Sequence, residues 1–245
     1  MIPWFILVHP GGRPSARNTL VHSPTGFGWS STRECGERWS TVSFDHWDNS
    51  NQTVEENGVR FGRTILRAQF GGWATSHLDL LVLPGNQRGL TGVNLTGGGR
   101  IDGGLDVERE LMARAPLTLG TAAATGAGTL ATGGIHGIVH AIVAEQLGDP
   151  PRESSLRQAI AAAMRELDRV RARRVGVLPF GSGSMLARVG RTESLPIMIE
   201  EIVGYFRRTS SRVELVTILC NSSSEAQEVS GLIDRIRRDL WGTRV

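Results

Sequence analysis

The sequence predicts an α/β protein with a mixed, mainly parallel sheet covered by helices on both faces, preceded by an N-terminal extension. Three observations carry this. Strand-like and helix-like segments alternate over the C-terminal two thirds of the chain. The segment Leu78-Asp79-Leu80-Leu81-Val82-Leu83 is a continuous apolar run with one acid, as in a strand buried on both faces. Glycine-rich turns close the strand-like runs, where parallel sheets place their ligands.

Taken in order, residues 1–58 mix Pro, Gly, Ser, Thr and Asn with four of the six Trp and show no clear period. They read as a layer packing on the main domain, which spans residues 59–245. The opening Met1-Ile2-Pro3-Trp4-Phe5-Ile6-Leu7-Val8 has no basic leader and reads as a strand, so a cytoplasmic protein is expected. Residues 59–70 carry strand formers, and 106–115 read as a short helix. Segment 135–143 reads as a strand with β-branched residues in near-alternation. Residues 156–174 form a helix with Leu156, Ile160, Met164, Leu167 and Val170 on one stripe, followed by a strand at 175–180. Ser194 and Pro196 suit the start of a helix whose inner face is Leu195, Met198, Ile199, Ile202, Val203 and Phe206. Residues 213–220 are a strand, and Ser223 or Ser224 caps a last helix with Val229, Leu232, Ile233, Ile236 and Leu240 inside.

Composition excludes several chemistries. Of 245 residues, 40% are hydrophobic and 21% charged, enough for a substantial core. No apolar run approaches the roughly 18 residues of a membrane helix, so no membrane partner is expected. All 27 basic residues are Arg, which removes Schiff-base and Walker-type lysines. The arginines at 165–174 lie on the polar side of their helix as solvated surface, and nucleic acid is not an expected partner. Cys35 and Cys220 have no metal spacing, and Phe44-Asp45-His46-Trp47-Asp48 lacks a distant fourth ligand, so no metal and no cofactor are expected. His140 reads as a core histidine and His136 as a residue flanking the cleft. Ser182 has neither a G-x-S-x-G frame nor an evident base.

The segments that speak to function are two glycine turns, Gly97-Gly98-Gly99 and Gly181-Ser182-Gly183-Ser184. Without a Cβ, successive backbone N–H groups can close on an anion, and a following helix adds its positive end. A pyrophosphate fits such a pair. Around these turns the chain resembles the macro domain, the superfamily of ADP-ribose binders and ADP-ribosyl hydrolases. Asp79 to Asn86 is similar to D-A-I-V-N-A-A-N. Gly97-Gly98-Gly99 with Asp102-Gly103 is similar to G-G-G-V-D-G with one residue inserted. The stretch from Gly120 through Thr125 to Leu130, then Ile138-Val139-His140 and Pro179-Phe180-Gly181-Ser182-Gly183, follow in the family's order.

The resemblance implies a three-layer macro-like fold that binds ADP-ribose or a related nucleotide diphosphate. The wider partner would be an ADP-ribosylated macromolecule. It places Asn86 and Asp102 beside the distal ribose as the catalytic candidates. Gly97, Gly98 and Gly99 would line one side of the diphosphate, and Gly181, Ser182, Gly183 and Ser184 the other. Met185 would stand near the distal ribose and Asn221 near the adenine. The chain departs from the family at Gly71-Gly72-Trp73-Ala74, where no carboxylate is available to read the base, and at Leu83, where an asparagine is usual. It also shows a partial similarity to the poly(ADP-ribose) glycohydrolase loop, with Glu108 followed by Arg109 where two glutamates are usual. Two functional readings result. One is an ADP-ribose binder that hydrolyses ADP-ribosyl links; the other is a non-catalytic nucleotide sensor or partner-binding protein with altered base specificity.

Overall fold

The computed structural model describes residues 58–71, 77–91, 94–95, 99–100, 103–180 and 187–241. The N-terminal layer expected over 1–58, with Cys35 and the Phe44–Asp48 stretch, lies outside the described residues. Seven strands form the main sheet: β1 (Val59–Phe61), β2 (Thr64–Phe70), β3 (Leu80–Asn86), β6 (Ala122–Gly126), β7 (Gly137–Ala144), β8 (Arg174–Val177) and β9 (Leu215–Cys220). Two short strands, β4 (Asn94–Leu95) and β5 (Gly99–Arg100), pair with each other outside it. The helices are α1 (Leu105–Met112), α2 (Glu153–Arg169), α3 (Ala187–Arg208) and α4 (Ser223–Trp241).

The order across the sheet is β1-β2-β9-β8-β3-β7-β6. Its five central strands are parallel, and the edge strands β1 and β6 run antiparallel to their neighbours. From β7 through α2 to β8, and on through α3 to β9, the chain steps one way along the sheet. From β3 through α1 to β7 it steps the other way. Right-handed crossovers therefore put α2 and α3 on one face and α1 on the opposite one. The buried side chains agree. Leu156, Ile160, Met164 and Leu167 of α2 join Leu195, Met198, Ile199, Ile202, Val203 and Phe206 of α3 and Val229 and Ile233 of α4 against Val82, Val139, Val177 and Ile218. Val107 of α1 and Leu130 of a 3-10 turn (Gly128–Gly133) pack on Leu81, Leu83, Ile138 and Leu219. The α/β class with helices on both faces is thus as expected.

The structure corrects several local expectations. Residues 59–70 are two strands, because Gly62 turns the chain at φ 64°. Alanine-rich β6 carried no strand signal and owes its state to pairing with β7. Pro196 does not start α3 but lies inside it; the helix gives up one N–H there while Leu195, Met198 and Ile199 keep the core face continuous. The hydroxyl capping α4 is that of Ser222, which accepts from the Glu225 N–H at 3.1 Å.

One carboxylate fixes the amino end of the central pair. Asp79, 3% exposed, accepts the backbone N–H groups of Arg173 and Arg174, both at 2.8 Å, just before β8 begins. Burial raises its pKa, and the two N–H bonds pull against that shift. On the helical face, the Asp168 carboxylate accepts from Tyr205 (2.6 Å) and Ser211 (2.5 Å), tying α2 to α3 and to the turn before β9. Burial first, and then Asp168, holds the Tyr205 phenol above its ordinary pKa.

Asp79→Ala leaves the part-buried N–H groups of Arg173 and Arg174 without their acceptor, and we expect a loss of about 2–4 kcal/mol in urea unfolding. A loss under about 0.5 kcal/mol would show that the pin is unimportant. His140 offers a second test. It is buried in β7, with Nε2 2.9 Å from Thr125 Oγ1. Burial, then the nearby Arg114 cation, lowers its pKa from 6.5 to about 4. The folded state thus holds the imidazole neutral where the unfolded chain would protonate it. The contribution is complete above pH 6.5 and is lost as pH falls toward 4, amounting to about 3 kcal/mol. The difference between His140→Gln and the parent in denaturant midpoints from pH 7.5 to 4 should trace that window; parallel curves would refute it.

Candidate functional site

The crossover directions create one distinctive place. β3 and β8 are parallel neighbours, with Leu80, Leu81 and Val82 opposite Val175, Gly176 and Val177. Beyond their carboxyl ends the chain departs in opposite senses, from β3 toward β7 and from β8 toward β9. Such a switch point opens a crevice at the carboxyl edge, where open α/β sheets bind ligands. The two expected glycine turns belong to the connections that leave these two strands. Gly97, Gly98, Asp102, Gly181, Ser182, Gly183, Ser184 and Met185 themselves lie outside the described residues. Gly99 is described as the first residue of β5, paired with Leu95.

Asn86 stands at the carboxyl end of β3, 3% exposed. Its amide makes three local hydrogen bonds. Oδ1 accepts the N–H groups of Arg88 (3.1 Å) and Leu90 (3.3 Å), and Nδ2 donates to the Leu90 carbonyl at 2.8 Å. The side chain thus builds the 86–90 turn, as asparagines at strand ends commonly do. Glu108 is likewise committed, accepting the Thr91 hydroxyl at 2.8 Å.

At the other end of the edge, Asn221 directly follows β9. Its N–H donates to Glu225 Oε2 at 2.8 Å, while its side-chain Oδ1 is buried and has no hydrogen-bond partner. A buried acceptor left unpaired costs stability. Next to it in register, opposite Cys220, is Phe70 at the carboxyl end of β2, 57% exposed. Phe70 carries no functional sign in the sequence, because a strand-terminal aromatic shows its exposure only once the neighbouring strand is known.

Two expected features are placed elsewhere. His136 precedes β7 and donates its N–H to the Asp79 carbonyl at 2.7 Å, so it sits at the amino edge and does not flank the crevice. The start of α1 is also away from the carboxyl edge. Gly103, at φ 73°, accepts the Thr129 N–H, and a Cβ on Gly128 would stand 2.0 Å from the Gly103 carbonyl oxygen. Glu110 accepts the Gly126 N–H at 2.9 Å, beside the first residue of β7. Only the last turn of α1 reaches Gly89, beyond the end of β3. The positive end of α1 is therefore not directed at the crevice. Among the described residues, no group of three or more His, Cys, Asp or Glu could hold a metal, and no helix is long and apolar enough to cross a membrane.

No family model matches the chain. An uncharacterized protein of Aquifex aeolicus (strain VF5) is 31% identical over 140 residues, which cover 57% of this chain and 82% of that protein, so the two belong to one family. Among solved structures, the Oceanobacillus iheyensis macrodomain with MES bound superposes with a TM-score of 0.60 at 14% identity, over 74% of this chain and 97% of that one. The same macrodomain with ADP gives 0.59 at 13%, over 74% and 96%. The Trypanosoma brucei macrodomain in complex with ADP-ribose gives 0.54 at 16%, over 80% and 84%. Likeness at these identities shows the fold.

Asn86→Asp keeps both acceptor roles but sets a carboxylate against the Leu90 carbonyl, whereas Asn86→Ala removes all three bonds. Both should lower stability, the alanine by about 2–3 kcal/mol. Thermal unfolding of the two variants is the check, and unchanged midpoints would mean the turn holds without the amide.

Proposed function

This chain has the macrodomain fold, and from that premise we propose that it binds ADP-ribose or a closely related nucleotide diphosphate along the carboxyl edge of the sheet. The observation that carries the reading is the switch point between β3 and β8, from which both glycine-rich connections depart. In this reading the diphosphate lies over that crevice, between Gly97, Gly98 and Gly99 on one side and Gly181, Ser182, Gly183 and Ser184 on the other. Asn221 and Phe70 take the base. The carboxamide pairs with an exocyclic amino group and ring nitrogen, the pattern by which asparagine reads adenine, and the exposed ring offers a stacking face. This pair supplies what the missing carboxylate at 71–74 does not. The distal ribose falls at the β3 end, near Asn86 and Met185.

A specific observation favours a reader over a hydrolase. Cleavage of an ADP-ribosyl link needs a group that positions water at the anomeric carbon, and the Asn86 amide makes three bonds within its own turn. The function we propose is recognition, of free ADP-ribose or of a macromolecule that carries it.

Isothermal titration with ADP-ribose is the test. Binding is expected, and Asn221→Ala should weaken it by about tenfold, the cost of one lost base contact. Absence of heat at millimolar ADP-ribose would overturn the proposal. Stabilisation by another nucleotide alone would redirect it to that ligand.

A further inference from the structure

A hollow of about 550 Å³ opens between the carboxyl ends of β3 and β7, lined by Gln87, Arg88, Ala115, Pro116, Glu145 and Gln146. Its size suits a few amino-acid side chains. Its back wall is main chain held on both sides: Gln87 donates its N–H to the Ala144 carbonyl at 3.0 Å and accepts the Leu117 N–H at 2.8 Å.

The charges are unevenly committed. On the rim, Glu145 is already paired with Arg152 at 3.3 Å. Arg88 is exposed, and among the described residues its guanidinium makes no hydrogen bond or ion pair, while its backbone N–H is held by Asn86. With Glu145 compensated by Arg152, the uncommitted charge among the residues that line the hollow is the planar fork of Arg88, beside Gln87 and Gln146. That is the donor set for a carboxylate, which an arginine can take through two parallel bonds. A nucleic-acid strand would call for a row of cations, and here Arg88 is the one cation among the lining residues, which also include Glu145.

Position along the edge gives the hollow its meaning. Asn221 lies at the end of β9, the diphosphate crevice between β8 and β3, and the hollow between β3 and β7. On the proposed reading of nucleotide binding, on which this inference rests, the base is at one end of that series. Whatever is attached to the far ribose emerges at the other end. We propose that the hollow is a carrier subsite: it receives the polypeptide bearing the ADP-ribose and selects, through Arg88, an acidic side chain next to the modified residue.

The experiment uses one synthetic peptide carrying ADP-ribose on a single side chain, made with either aspartates or asparagines beside it, alongside free ADP-ribose. The full chain should bind the aspartate peptide about fivefold more tightly, the scale of a partly exposed ion pair, and added salt should shrink the difference. Arg88→Gln should abolish the preference and Arg88→Glu reverse it, with free ADP-ribose bound equally by all three proteins. If ADP-ribose binds but the two peptides are not distinguished, or their difference survives Arg88→Glu, the carrier subsite is refuted and nucleotide recognition stands. Dependence on Arg88 seen only with an ADP-ribosylated oligonucleotide would also refute it, in favour of phosphate recognition. If free ADP-ribose fails to bind, both proposals fall.

Discussion

Two backbone N–H groups converge on the buried carboxylate of Asp79, and the alignment they impose reaches the opposite edge of the sheet. Parallel pairing has no hairpin to set its register, so something else must choose which residue of β8 faces which of β3. A slip of one position would reverse the faces of Val175 and Val177 and push the core stripe of β8 outward. With the register pinned at the amino end, β8 ends at Val177 beside Val82, and β3 runs on to Asn86. The crevice between them is then a consequence of where the chain turns next. The acid that opens the Asp79–Asn86 motif thus works about one strand length from any ligand.

Much of the fold was legible because the core-facing helices have clean stripes. Leu156 to Leu167 in α2 and Leu195 to Phe206 in α3 stand out as amphipathic and are buried as their spacing requires. The misread elements are those whose state is decided by a partner. β6 is alanine and threonine, residues with no pattern of their own until β7 lies alongside. Pro196 and Ser194 resemble a helix start locally, yet the apolar face runs on through them and packing against α2 and the sheet outweighs one lost N–H. The site divides in the same way. Asn86 and Asn221 were visible at strand ends, but their different situations were not. One amide makes three bonds within its own turn, and the other has a buried oxygen with no partner. Both are asparagines next to apolar runs, and only three-dimensional neighbours separate them. Phe70 and Arg88 carried no signal at all, since their exposure depends on strands far away in sequence.

The edge is built from two kinds of part with different stiffness. Asn86, Gln87 and Asn221 hang directly from the ladder, held by bonds to Leu90, Ala144, Leu117 and Glu225. Rigid groups of this sort can discriminate, because a ligand lacking the matching atom leaves them desolvated and unpaired. Arg88 is held only by its main chain and swings its guanidinium from a fixed root. It adds attraction that depends on salt and contributes little geometric discrimination. On the proposed reading, base choice at Asn221 and carrier preference at Arg88 are thus expected to respond differently to ionic strength, the first nearly flat and the second steep.

This difference bears on how a reader of a modified polypeptide can be selective without being slow. A nucleotide anchor of high geometric demand, combined with a weakly discriminating charged subsite, lets the common part of the ligand set the affinity while sequence context adjusts it. An all-arginine complement of basic residues suits the second role, since each guanidinium keeps its charge and its fork whatever the local burial. A lysine at position 88 would supply the charge without the paired donors, and the distinction between a carboxylate and any other acceptor would narrow accordingly.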